Sequence, residues 1–390
     1  MKPIKYVLSG ITLAMLLTGC GKKNLEPESQ LPTSPDSSLT DEASITVSAN
    51  DTQAIWQAAG QTLSRCTTAA KNLNDAIDSF IASPREDSLL NAREAWKNTL
   101  LEYRHFYVFH YIAQTRPEVF GRLVESDFRI AAWPVQPGSL DSWGSYLYSG
   151  LVHDIGNTLS KENLLNLHGQ VDAENATLGL YAIEYMLFGE NGTRSVDDYV
   201  AQSTVSAEQK ERGFKAASEL PHNRRRMLLQ LQSDILVDEI NHLLNNWSSP
   251  TSNSYSIIWN SLSTEEKSKI AKTAMESGLA QLIIDISTLN ITSLEEEVSE
   301  VDTLQLPFSN LPVKQYIANA LRSLQKITPL LNTNSQTVVS VELEAAISLL
   351  NEEDDKDTTS PNEMDWQLVY THLKNASEAI SVGAGEFAGS

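Results

Sequence analysis

Residues 83–110 read SPREDSLLNAREAWKNTLLEYRHFYVFH, and the spacing within them decides the fold class. Ser83-Pro84-Arg85-Glu86 sets a capping hydroxyl before a proline at the first helical position, with a glutamate three residues after the cap, which is the pattern of a helix start. Leu89, Ala92, Trp96, Leu100, Tyr103, Tyr107 and His110 then recur at steps of three and four, so one buried face runs along the whole segment.

Working outward, the same periodicity returns wherever the chain is apolar. A helix is expected from near Pro221, with Leu228, Leu231, Ile235, Leu236, Ile240, Leu243 and Trp247 inward. Ser263 to Glu266 is a capping box that opens a helix through Ile284. Pro312 opens another, with Val313, Ile317, Ala320, Leu324 and Ile327 on its apolar side, and Trp366, Val369, Leu373, Ala376 and Ile380 mark the last. No alternating strand pattern competes with these, so the fold class is all-α, expected as two four-helix-bundle-like domains with a cleft between them.

The boundaries follow from composition. A polar break from Trp247 to Tyr255 separates an N-terminal bundle, 49–248, from a C-terminal one, 249–384. Within the first, residues 112–160 are rich in Pro, Gly and aromatics (Trp133, Pro134, Pro137, Trp143, Tyr146, Tyr148) and read as a long ordered insertion. Residues 20–48 carry Pro27, Pro32 and Pro35 among Ser, Thr and acids, with almost nothing apolar to bury, which reads as a flexible tether.

Residues 1–19 read as a signal peptide, with Lys2 and Lys5, an apolar run from Tyr6 to Leu17, and then Leu17-Thr18-Gly19-Cys20. The run is shorter than the roughly 20 residues needed to span a bilayer. Its end looks like a lipobox, making Cys20 the expected lipid attachment point and the cell envelope the expected location, with Gly21 suggesting the periplasm-facing outer membrane. With Cys20 acylated, Cys66 has no disulfide partner, and its place in the helical stretch Leu63 to Ala70 reads as core. A formal net charge of −21 argues against nucleic acid as a partner and in favour of cations or basic partners.

The chemically odd segment is Leu178-Gly179-Leu180-Tyr181-Ala182-Ile183-Glu184-Tyr185-Met186-Leu187-Phe188-Gly189. Apart from Glu184 it is apolar or aromatic all round, which predicts a helix buried on every side. A buried carboxylate must be paired, protonated or bound to a cation. Tyr181, three residues earlier, shares its face. A purely structural glutamate, bonded to Tyr181 or to Arg224, Arg225 or Arg226, is the competing reading.

Here the chain resembles the imelysin family, over most of residues 50–380. The family hallmark, Gly-x-His-x-x-Glu with an apolar tail and a glycine, corresponds to Gly179, Tyr181, Glu184 and Gly189, with tyrosine at the histidine position. Similar too are Trp96, Tyr103 and Phe109, Ala132-Trp133-Pro134 followed by Asp141, Arg225-Arg226 ahead of Leu228, and Pro307-Phe308-Ser309. The resemblance implies two helical bundles with a cleft, export, and links to iron uptake, while some members are classed as metallopeptidases whose motif histidine and glutamate bind metal. Tyr107 and His110 stand where many members carry glutamate and arginine.

Three functions are open on these grounds. The first is a non-catalytic, iron-uptake-associated or ligand-binding lipoprotein using the cleft around Glu184, with Tyr181, Tyr107, His110, Arg226 and Ser309 as further site residues. In it, Glu184 and Tyr181 could hold iron or another divalent cation, since a phenolate is a hard donor. The second is a metallopeptidase, although no His-Glu-x-x-His pair or Gly-x-Ser-x-Gly elbow is present. The third is a scaffold or peptide-binding module with a decayed metal site. The expected partners are the membrane through the lipid anchor and a small ligand, metal or protein in the cleft. The acidic runs Glu295 to Glu297 and Glu352 to Asp357 lack the spacing of a calcium loop.

Overall fold

In the computed structural model, residues 49–250, 254–294, 312–351 and 366–385 are described. Cys20, the tether, Ser309 and both acidic runs lie outside them. The described residues form α1 (Ala49–Ala82), α2 (Glu86–Arg104), α3 (Tyr107–Thr115), α4 (Pro117–Ala131), α5 (Lys161–Leu167), α6 (Leu180–Phe188), α7 (Ala207–Glu211), α8 (Pro221–Ser248), α9 (Tyr255–Ser261), α10 (Thr264–Leu294), α11 (Val313–Ile327), α12 (Thr333–Asn351) and α13 (Trp366–Gly385). Among them there is no strand, only an isolated bridge between Trp143 and Tyr146, so the fold is all-α.

Two sets of helices pack within themselves. In the first, α1 packs on α2 and α8, and α6 fills the space against α2, α4 and α8; in the second, α12 packs on α13 and α11, and α13 on α10. Helix α3 joins them, packing on α10 and α11, while α2 also meets α11. A single continuous apolar core runs through both sets.

The expected faces are the observed ones for the long helices. Leu228, Ile235, Leu236, Ile240, Leu243 and Trp247 of α8 are buried, as are Val369, Leu373, Ala376 and Ile380 of α13. The capping box at Ser263 is present: its backbone N–H donates to Glu266 Oε2 at 2.8 Å, and the Glu266 N–H donates to Ser263 Oγ at 3.2 Å. Trp247 of α8 stacks on Trp56 of α1 at 3.7 Å with 7° between planes, and across the polar break Trp259 of α9 lies 4.9 Å from Trp56. Each indole of the stacked pair donates to the other residue's carbonyl, at 3.2 and 3.0 Å, so both ring orientations are fixed.

Three expectations need correction. Ser83 is not a helix cap: α2 starts at Glu86, and the turn is held by Ser88, whose Oγ accepts from the Arg85 N–H at 3.1 Å. The helix expected to run on to His110 breaks at His105–Phe106, between α2 and α3. Side chains of α11 take up the main-chain groups around the break. Asn319 donates to the Leu101 carbonyl at 3.0 Å, Lys326 to the His105 carbonyl at 3.0 Å, and the Val108 N–H donates to Ser323 Oγ at 2.9 Å. The insertion, finally, does not begin at residue 112. Pro117 opens α4, whose Phe120, Leu123 and Ile130 are buried, and the irregular part starts after Ala131.

Helix α6 is enclosed, with Leu180 to Leu187 all buried. Its carbonyls are served by side chains from outside. Trp96 Nε1 donates to the Leu180 carbonyl at 2.7 Å, Tyr199 to that of Met186 at 2.6 Å, and Arg93 to that of Leu187 at 3.1 Å. Trp96→Phe removes one of these bonds and opens a void beside α6, at an expected cost of about 2 kcal/mol in urea unfolding. A change under a few tenths would show that the indole N–H holds nothing in place.

Candidate functional site

Gly179 sets the start of α6 and thereby the direction of Tyr181 and Glu184. Its φ is +94°, and a Cβ there would lie 2.8 Å from the Ile130 carbonyl oxygen, so only glycine lets the chain pass the end of α4 this closely. Glu184 is fully buried, as an all-round apolar helix requires. Tyr181 packs its ring 4.8 Å from that of Trp133 and shares a 2.7 Å hydrogen bond with the Tyr316 hydroxyl of α11. That bond links the motif helix of the first set to the second.

Beside this pair lies a residue that the sequence did not single out. Arg104, the last residue of α2, places its guanidinium 4.1 Å from the Tyr107 ring centroid and 4.0 Å from that of Tyr316. Such a sandwich suits the planar, weakly hydrated guanidinium. Its closest carboxylate is that of Asp285 on α10, 3.8 Å from Nη2. Burial pushes the Asp285 carboxyl up, against the pull of Gln281 and Arg104. Tyr107 donates its hydroxyl to the Gly278 carbonyl at 2.9 Å and accepts from Tyr111 at 3.0 Å. Thus Arg104 lies between two phenol pairs, Tyr107–Tyr111 and Tyr181–Tyr316.

The remaining expected residues fall elsewhere. His110 faces Asp127, 3.2 Å away, and its ring lies 5.2 Å from Tyr103, which itself bonds Asp127 at 3.0 Å. Burial lowers the His110 pKa, keeping the ring neutral. Arg226 donates to the carbonyls of Ile81 and Tyr199 at 2.7 and 2.8 Å, tying α8 to the end of α1. Arg224 is spent on carbonyls of the insertion, including those of Leu151 and Asp154, and Arg225 on Asp141. Cys66 is buried and burial pushes its thiol up to about 12, which makes it core and not a nucleophile. The structure therefore brings Tyr107 and Tyr316, the hydrogen-bond partner of Tyr181, onto one guanidinium and leaves His110 and Arg226 in other networks.

Metal chemistry of the kind the motif implies does not fit these donors. Among the described residues, no group of three or more His, Cys, Asp or Glu side chains is placed to hold a metal. Burial holds the Tyr181 and Tyr107 phenols well above their usual pKa, so they are neutral hydroxyls and not phenolate donors. The positive charge of the site is already present, covalently, in Arg104, and a second cation beside it in a low-dielectric interior is repelled. Tyr316, Tyr111 and Asp285 carry no mark in the sequence. Arg104 carries none either, since Lys97 and Arg93 recur on the same side of the helix.

The comparisons agree with this architecture. The family model described as imelysin, peptidase M75, matches residues 59–326. No curated protein matches the chain. The crystal structure named for an iron-regulated protein A precursor from Parabacteroides distasonis is similar, with a TM-score of 0.52, 14% sequence identity, and coverage of 86% of this chain and 94% of that one. At that identity the likeness speaks for the fold, and the family match over most of the chain speaks for descent: the chain belongs to the imelysin family.

Proposed function

We propose that this protein is a non-catalytic ligand-binding member of the imelysin family, exported and held at the cell envelope by lipid on Cys20, with its site between the two helix sets around Glu184, Tyr181 and Arg104. The observation that carries the reading is the guanidinium of Arg104, wedged between Tyr107 and Tyr316 beside the tyrosine that replaces the motif histidine. A hydrolytic metal centre needs three protein ligands and an open water position; among the described residues no such ligand group is placed, and the position of the motif histidine holds a neutral, hydrogen-bonded phenol. An iron-linked role is supported by the name of the P. distasonis neighbour, which says that the protein is iron-regulated and a precursor. Among the described residues no helix is long and apolar enough to cross a membrane, which is consistent with attachment by lipid.

Metal analysis of the purified protein, repeated on Glu184→Gln, tests the reading together with a peptide-cleavage assay. The expected result is substoichiometric zinc and iron in both proteins and no cleavage by either. Stoichiometric metal that disappears in Glu184→Gln, accompanied by metal-dependent cleavage in the wild type, would overturn it.

A further inference from the structure

We propose that Arg104 is the recognition residue of this site and that it receives the carboxylate of a small organic anion; the assignment rests on the binding reading above and names the class of ligand. A guanidinium is a planar fork of five N–H donors with no acceptor. In Arg104 the Cζ lies over two rings, 4.1 Å from the centroid of Tyr107 and 4.0 Å from that of Tyr316. Hydrogen bonding is left to its edge. Along that edge, Nε and Nη2 are buried and make no hydrogen bond among the described residues, and Asp285 at 3.8 Å is beyond hydrogen-bond reach of Nη2.

The same molecule shows what this edge accepts when it is satisfied. Arg225 presents the corresponding pair, Nε and Nη2, to the two oxygens of Asp141 at 2.6 and 3.1 Å. That is the side-on, bidentate arrangement in which guanidinium and carboxylate match in shape and charge. Arg104 offers the identical pair with its acceptor missing. A buried cation whose donors are left open is among the costlier features a fold can retain, and a ligand carboxylate removes that cost.

The phenols complete the receptor. Tyr181 and Tyr316 have two hydroxyl protons and use one in their mutual 2.7 Å bond, leaving the other for an acceptor. Tyr316 is half-buried while Tyr181 is buried, so Tyr316 is the solvent-side member of the pair. The aromatic rings beside the guanidinium lower the local dielectric and so strengthen the ion pair once it has formed.

Isothermal titration of the whole protein with citrate, succinate, benzoate and ferric citrate, alongside succinamide and benzamide, tests the assignment. At least one carboxylate should bind, its amide counterpart more weakly, and Arg104→Lys, which keeps the charge but loses the fork, should weaken binding by about tenfold or more. Tighter binding of ferric citrate than of citrate identifies a ferric chelate as the source of the carboxylate; equal or weaker binding identifies the free acid. Absence of carboxylate binding above the amides overturns the assignment, as does unchanged affinity in a folded Arg104→Lys. Should that variant fail to fold, Tyr316→Phe keeps the ring and loses the hydroxyl, and unchanged affinity there overturns the site equally. Failure here in a metal-free, inactive protein removes only the role of Arg104. A metal-loaded peptidase that still binds carboxylate through Arg104 removes only the non-catalytic reading.

Discussion

Asp141→Ala is expected to destabilise the protein by about 3–5 kcal/mol, the range for removing one partner from a buried ion pair. The carboxylate is fully buried. It accepts from Arg225 Nε at 2.6 Å and Nη2 at 3.1 Å, lies 3.0 Å from Arg194 Nη1 and 3.3 Å from His153 Nε2, and takes the Ser142 N–H at 2.8 Å. One side chain thus ties the irregular segment after α4 to α8 and to the loop that follows α6. Without it two guanidinium groups lose their main acceptor in the interior. The loss should appear as a lower urea midpoint at unchanged slope. A change below about 1 kcal/mol would show that the two arginines find other partners cheaply.

The pH dependence of that difference has a definite sign. Burial alone would raise the Asp141 carboxyl, but the hydrogen bonds of His153 and Arg225 and the charge of Arg194 hold it well below the usual carboxylate range. A folded-state value depressed in this way gives stability that is fully present above the unfolded-state value and is lost as pH falls toward the folded one. The gap between wild type and Asp141→Ala should therefore be constant through neutral and mildly acidic conditions and narrow below about pH 4. A gap that widened in acid would contradict the ion-pair account.

The long helices and the burial of α6 were legible because both are written in local spacing. Steps of three and four gave the inward faces of α8 and α13, and the lack of polar residues around Glu184 gave a helix enclosed on every side. What was not legible depends on residues far away in the chain. The break at His105–Phe106 contains neither proline nor glycine, and the groups that satisfy it, Asn319, Ser323 and Lys326, lie more than 200 residues downstream. The same holds for Arg104, whose meaning comes from Tyr316 and Asp285 on helices of the other set. Helix α4 differs: its own spacing, Pro117 with Phe120, Leu123 and Ile130, is helical, but the aromatic and Gly/Pro content after Ala131 dominates the composition of the segment as a whole.

The motif itself is tested at its glycine. Gly179→Ala forces an L-residue to φ +94° and sets its Cβ 2.8 Å from the Ile130 oxygen and 2.9 Å from the Ile130 carbonyl carbon, both of them main-chain atoms that cannot rotate away. The left-handed backbone alone costs roughly 1–2 kcal/mol. Relief of the clash must then come from moving α6 away from α4, which lengthens the Trp96 bond to Leu180 and shifts Tyr181 relative to Tyr316. Together these effects give an expected loss of about 3 kcal/mol or more. Gly192→Ala separates the two contributions, because its φ is +72° with nothing within 4 Å of the added Cβ, so it should show the backbone cost alone, near 1 kcal/mol. If the two variants unfold at the same urea concentration, the close approach of α6 to α4 is not what fixes the motif, and the placement of Tyr181 against Tyr316 has to come from the enclosing helices instead.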